Sequence, residues 1–343
     1  MNTRKLGSDG PELTTVGFGA WAIGGPWRFG WGEVDDDESV VAIRHAVDHG
    51  VNWVDTAAVY GLGHSEEVVG RALAPYAVGE DVYVFTKCGR SWYGQPEGVI
   101  DNDLRPESIR HECEQSLRRL GVERIDLFQI HWPDWTTGTA LEESWGTMAE
   151  LVDEGKARWI GVSNFDVEQL ERCEAVRHVD SLQPPLSLLA RGARHTVIPW
   201  AREHGTGVIV YSPMASGILT GAFDRERVAG LEESDWRRGA PAFNEPQLSR
   251  NLDLVERLRP LADRLGVGLP ALAVAWALAQ PGVTAAIVGA RQRRHVDGWL
   301  PAARLELGET ELRELDESVA ASGAGSDKPP VPPPHMRPQT VSS

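Results

Sequence analysis

Cysteine is scarce in this chain, and its few copies form no pattern. Among 343 residues only Cys88, Cys113 and Cys173 are cysteines. An odd number at unrelated spacings excludes a disulfide framework and offers no zinc motif, so no metal is expected. Long apolar runs are also missing. The longest, LPALAVAWALA at 269–279, is too short to cross a bilayer and reads as a buried helix. The opening stretch MNTRKLGSDGPELTTV lacks the apolar core of a secretion signal, so a soluble cytoplasmic protein is expected. Basic charge is outweighed: 34 Lys and Arg against 50 Asp and Glu leave a formal net charge of −16. Nucleic acid and anionic membranes require broad basic surface, so neither is an expected partner.

What is present has a regular rhythm. Hydrophobic residues make up 41% and charged residues 24%, the balance of a globular chain with a sizeable core. Short β-branched runs at 15–19, 53–55, 82–86, 125–131, 157–162, 181–183, 208–211 and 284–288 alternate with amphipathic segments. The segments at 37–49, 65–73, 106–120, 141–154, 167–175, 196–204, 247–265, 270–280 and 293–300 predict helices. Pro106 and Pro270 suit first helical positions. Eight strands separated by helices imply a parallel sheet, and eight is the number that closes a TIM barrel, (β/α)8 in the α/β class. One barrel domain over 1–321 is expected. An N-terminal hairpin should plug its bottom, and a Pro-rich, disordered tail should occupy 322–343. A long excursion at 217–246 is expected to fold over the site as a belt.

One motif misleads. Gly17-x-Gly19-x-x-Ala22 matches the dinucleotide fingerprint of a doubly wound fold, which needs a helix opening at the second glycine. Here the chain runs on as WAIGGPWRFGW, a loop.

Ionisable residues close three successive strands. Asp55 ends the second in VNWVDTAAVYG, with Tyr60 in the loop behind it; Lys87 ends the third and His131 the fourth. Barrel strands deliver their C-terminal ends to one mouth, so these four can meet there. A tyrosine of ordinary pKa is a poor acid at neutral pH. A nearby ammonium should lower that pKa, a carboxylate should hold the ammonium, and a histidine can hydrogen-bond a carbonyl oxygen. Such a set is a proton donor beside an oxygen that becomes negative, as hydride addition to a carbonyl requires. Singly, each of these residues reads as structural; together they read as a site.

The sequence resembles the aldo-keto reductases over roughly residues 6 to 315, through GFGAWAIGG, DTAAVYGLGHSEEVVGRAL, FTKCG, RIDLFQIHWPD, GKARWIGVSNF, YSPMASGILTG, LAVAWALAQPGV and IVGAR. The resemblance implies a catalytic tetrad of Asp55, Tyr60, Lys87 and His131, with Tyr60 as general acid. It also implies a nicotinamide cofactor. Ser163, Asn164 and Gln183 would hold its carboxamide, and Tyr211 would stack on its ring. Trp21, Ser212, Met214, Ser216, Leu219 and Gly289 would lie along the rest of it. The basic cluster around Arg291 and His295, in so acidic a chain, points to the 2′-phosphate of NADPH. Family members often carry Asn where this chain has Trp299, Gln where it has His295, and Tyr where it has Leu186. Tryptophans in the strand-end loops, Trp27, Trp92 and Trp132 foremost, are expected to form the pocket for a small-molecule aldehyde or ketone. The alternative to an NADPH-dependent carbonyl reductase is a cofactor-binding redox sensor, since the motifs also resemble the branch with the potassium-channel β subunits.

Overall fold

The computed structural model describes residues 1–27, 29–94, 99–233 and 235–329. The chain opens with a hairpin, β1 (Thr3–Lys5) against β2 (Glu12–Thr14), joined antiparallel with Thr3 opposite Thr14. Eight parallel strands then close into a barrel: β3 (Val16–Gly19), β4 (Trp53–Asp55), β5 (Tyr83–Cys88), β8 (Ile125–Ile130), β9 (Ala157–Ser163), β10 (Ser181–Gln183), β11 (Gly207–Val210) and β12 (Ala285–Gly289). Between β5 and β8 a short ribbon pairs β6 (Arg90–Ser91) with β7 (Asp101–Asn102).

Outside the strands lie α1 (Asp36–Asp48), α2 (His64–Leu73), α3 (Pro106–Leu120), α4 (Leu141–Asp153), α5 (Val167–Glu174) and α6 (Val197–His204). They are followed by α7 (Arg225–Ala229), α8 (Gln247–Leu265), α9 (Leu269–Leu278), α10 (Arg293–Trp299) and α11 (Glu309–Ser322). Their ends follow local chemistry. The Asp35 carboxylate caps α1 by accepting from Asp37 N and Glu38 N at 2.8 and 3.0 Å. Asp166 and Gln169 form a reciprocal capping box on α5. Pro106 and Pro270 sit in the first turns of α3 and α9. Every residue of α9 except Pro270 is buried, as its lack of a polar face demands. No single helix among the described residues is long and apolar enough to cross a membrane.

The hairpin closes the barrel floor. Leu6 and Leu13 are buried against Trp53, Phe85, Leu127, Ile209, Ala285 and Ile287, and the Trp53 indole donates to Thr14 O at 2.8 Å. The glycines that imitate a dinucleotide fingerprint serve this packing. A Cβ on Gly17 would lie 2.1 Å from the Trp53 ring, and one on Gly19 would lie 2.6 Å from Ile287 Cγ2. After Gly19 comes a single 3-10 turn at Trp21–Ile23 rather than an α-helix.

Two features differ from the sequence expectation. Helix α11 went unpredicted, although Leu315 and Val319 recur at helical spacing and are buried. The expected tail begins in contact with the barrel. Ser326 pairs with Ala190, and the Asp327 carboxylate accepts twice from the Arg191 guanidinium at 2.9 Å. Residues 330–343, the rest of that tail, lie outside the described residues.

Candidate active site

At the C-terminal mouth of the barrel a cavity of about 770 Å³ opens between the loops after β3, β4, β8, β9, β11 and β12. Three of the four tetrad residues line it; Lys87 lies directly beneath. The Lys87 ammonium, fully buried, donates to Asp55 Oδ1 at 2.5 Å and to Thr56 O at 2.7 Å. Burial pushes the Asp55 carboxyl above its ordinary value and the Lys87 ammonium below its own, and in each case contact with the partner opposes the shift. The other Asp55 oxygen accepts from Gln183 Nε2 at 3.0 Å and from Gln129 Nε2 at 3.4 Å.

Tyr60 faces this pair from the loop, its ring centroid 5.5 Å from Lys87 Nζ and 5.6 Å from the His131 ring, which it meets edge-on. The expected lowering of its pKa is not what this geometry gives. Burial first, then the negative Asp55 and the neighbouring Tyr211, push the Tyr60 hydroxyl well above its ordinary value. That direction favours the protonated phenol.

His131 is neutral as well. Burial, then the positive charges of Lys87 and Arg90, hold its imidazole well below the ordinary value, and its Nδ1 is buried without a partner among the described residues. A neutral ring has one N–H to offer an oxygen in the cavity. This leads to a pH prediction. Activity that needs neutral His131 should stay level as the pH falls through ~6.5, the unperturbed imidazole value. A kcat/KM profile declining with a midpoint there, and losing that decline in His131→Gln, would contradict the buried neutral ring.

Around the tetrad the predicted cofactor residues fall into two groups. Trp21, Ser163, Asn164, Gln183, Tyr211, Ser212, Met214, Ser216, Gly289, Arg291 and His295 all line the cavity. Leu219 does not: it is fully buried in the core behind the loop, with its backbone N–H on Met214 O. Asn164 ties three strand ends together. Its Nδ2 donates to His131 O and Ser163 Oγ at 3.0 Å, and its Oδ1 accepts from the Tyr211 hydroxyl at 2.7 Å. It does so at φ 64°, and Ser212, Ala215 and Ser216 in the loop after β11 also have positive φ. Strained backbone of this kind gathers at functional sites.

Of the three pocket tryptophans, Trp27 and Trp132 line the cavity but Trp92 does not. Its ring stacks on Tyr93 at 4.5 Å and lies 5.8 Å from the Arg119 guanidinium, a packing role outside the mouth. Phe29, Arg90, Phe223, Arg227, Trp236 and Arg237, which no sequence motif singles out, also line the cavity. Several belong to the 217–246 excursion, which lies along the cavity and joins the loop after β3. Trp236 packs on Trp21 and Trp31 at 5.3 and 5.9 Å, and the Arg237 guanidinium sits 4.5 Å from the Trp31 ring. Tryptophan–tryptophan pairing between two distant loops leaves no periodic signal by which sequence could have joined them.

The comparisons with known proteins agree with this geometry. The sequence profile of the Aldo/keto reductase family matches residues 15–320. The chain belongs to the aldo-keto reductase family. It is 36% identical over 341 residues to aldo-keto reductase YhdN of Bacillus subtilis (strain 168), covering 99% of both chains. To the NADH-specific methylglyoxal reductase of Escherichia coli (strain K12) it is 33% identical, covering 93% of this chain and 99% of that one. Among solved structures, the glycerol dehydrogenase AKR11B4 from Gluconobacter oxydans superposes with a TM-score of 0.84 at 38% identity, covering 96% and 98% of the two chains. Members of this family are oxidoreductases that act on small carbonyl compounds with a nicotinamide cofactor, and the barrel is the (β/α)8 form the sequence implied.

Proposed function

We propose that this protein reduces an aldehyde or ketone to the alcohol with NADPH, with Tyr60 as the general acid. The observation that carries the reading is the tetrad: a neutral phenol and a neutral imidazole at the cavity wall, above a buried Lys87–Asp55 pair. The cofactor supplies the hydride to the carbonyl carbon. Tyr60 and His131 both hydrogen-bond the carbonyl oxygen, and Tyr60 gives its proton to that oxygen as it becomes an alkoxide, a stronger base than phenolate. The Lys87 ammonium, held by Asp55, stabilises the phenolate left behind. Ser163, Asn164 and Gln183 hold the carboxamide of the nicotinamide, and Tyr211 lies against its ring. Trp27, Phe29 and Trp132 exclude water from the reacting centre. Methylglyoxal and glycerol, named in two relatives, support a short oxygen-bearing substrate, and Arg90 in the wall provides a polar contact beside those aromatic rings.

The preference for the phosphorylated cofactor rests on self-repulsion at the other end of the cavity. Arg227, Arg237, Arg291 and Arg294 all line it with His295. Asp235 is bound to Arg237 through both carboxylate oxygens. Burial and then Arg237 hold Arg291 below its ordinary value; burial and then Arg294 and Arg291 do the same to His295. The first turn of α10 carries no acidic residue, and Gln292 makes no side-chain cap. A dianionic phosphate resolves these conflicts together. The name of the Escherichia coli relative argues the other way, so the test compares both cofactors. Arg291→Ser should raise the KM for NADPH by about 10-fold or more, the worth of one charged hydrogen bond, with a much smaller effect on NADH. Equal effects on both, or a wild type that favours NADH, would overturn the preference. Tight NADPH binding with no turnover on a broad carbonyl panel would favour the redox-sensor reading.

A further inference from the structure

Two carboxamides lie beneath the tetrad, and only one of them reaches the cavity. Gln183 lines it, whereas Gln129 is completely buried two strands away on β8, at the register position beside Lys87. Across the next strand its register partner is Gly161, and a Cβ there would lie 3.3 Å from Gln129 Cγ. The Gln129 side chain thus lies close over the Gly161 backbone. It reaches both neighbours: Nε2 donates to Asp55 Oδ2, and Oε1 accepts from Gln183 Nε2 at 3.2 Å.

Resting on the cofactor reading above, we infer that Gln129 is a positioning residue for the reaction. It holds the Asp55 carboxylate opposite Lys87, and it fixes which way the Gln183 carboxamide is turned. The argument is one of donors and acceptors. Turning Gln183 about its last bond would set Oε1 against Asp55 Oδ2 and Gln129 Oε1, three acceptors with no proton between them. Nε2 is therefore locked inward by two partners, and Oε1 accepts no hydrogen bond among the described residues. That oxygen is the acceptor left for an amide N–H of the nicotinamide carboxamide. Asn164 has less to offer it, since its Nδ2 already donates twice within the protein and its Oδ1 already accepts from the Tyr211 hydroxyl.

The charges around Asp55 are few. Lys87 touches it from β5; Tyr60 stands on the loop after β4, His131 follows β8, and Tyr211 follows β11, all three neutral. Glu66 on α2 acts on Lys87 from behind. Lys87, Gln183 and Gln129 are the groups that oppose the effect of burial on Asp55.

Two variants separate positioning from packing. Gln129→Met keeps the length and removes both hydrogen bonds. It should weaken NADPH, followed by quenching of tryptophan fluorescence, by about 5- to 10-fold. It should also raise the Asp55 carboxyl further, so that kcat/KM falls off in acid at a higher pH than in the wild type. Gln129→Glu keeps the acceptor and, while protonated, the donor too. At pH 6 it should bind NADPH as the wild type does, and it should lose activity on the alkaline side as the second carboxylate ionises, a limb the wild type lacks. Gln129→Met that leaves both affinity and pH profile in place, or two variants that alter only the melting temperature, would overturn the inference. A wild type whose fluorescence responds to neither NADPH nor NADH would defeat the cofactor reading instead.

Discussion

Tyr60→Phe should lower kcat for carbonyl reduction by about 10²- to 10⁴-fold, the usual worth of a positioned general acid. Burial, Asp55 and Tyr211 all oppose ionisation of the hydroxyl it removes. Its contribution grows as charge develops on the substrate oxygen, so the loss should fall on kcat far more than on the Kd for NADPH. Stopped-flow single turnovers with a reactive aldehyde, beside a fluorescence titration of the cofactor, separate the two. A phenylalanine variant that keeps more than a tenth of the wild-type kcat would place the proton donor elsewhere, with neutral His131 the next candidate. The pH profile provides a second check. A phenol held well above its ordinary value predicts no alkaline decline from Tyr60 at moderately basic pH. The opposite expectation, a phenol tuned downward by lysine, would produce one.

That reversal shows where sequence stopped being informative. Asp55, Tyr60, Lys87 and His131 were legible because each closes a strand or follows one, and barrel topology sends every strand end to the same mouth. The eight strands were legible for a related reason: their apolar runs are short and bounded, and the ladder pairs them in sequence order. The pairing of Lys87 with Asp55 was legible and is present. The net effect on Tyr60 was not, because burial and the nearby Asp55 and Tyr211 act on it only once the side chains are placed. Trp92 and Leu219 failed for the same reason. A loop tryptophan and a loop leucine have no periodicity to tell an inward from an outward face, and here Tyr93 takes one while the core takes the other. Trp236 and Arg237 were missed because their partners, Trp21 and Trp31, lie about two hundred residues away and belong to no repeating element. Helix α11 does carry a signal, in Leu315 and Val319, but it lies beyond the eightfold repeat.

Lys87→Met should cost about 3–5 kcal/mol of stability, the penalty for leaving one member of a buried ion pair without its partner. The ammonium is wholly buried and bridges Asp55 to the Thr56 carbonyl, so its loss strands a carboxylate that keeps only two amide donors. Asp55 can escape by taking a proton. In the variant its folded pKa then rises well above its unfolded value, which makes the sign of the pH dependence definite. Stability of the variant should be highest in acid and should fall as the pH rises through the new folded pKa, so its deficit against wild type widens toward neutrality. Adding Asp55→Asn to Lys87→Met removes the stranded charge, and the double variant should be more stable at neutral pH than the single one, though neither restores turnover. Denaturant unfolding of the wild type, both singles and the double across a range of pH checks each step, because a cycle reports the coupling directly. A deficit that does not change with pH, or a double variant no better than Lys87→Met, would mean that the loss comes from packing around residue 87. The ion pair would then matter for catalysis alone.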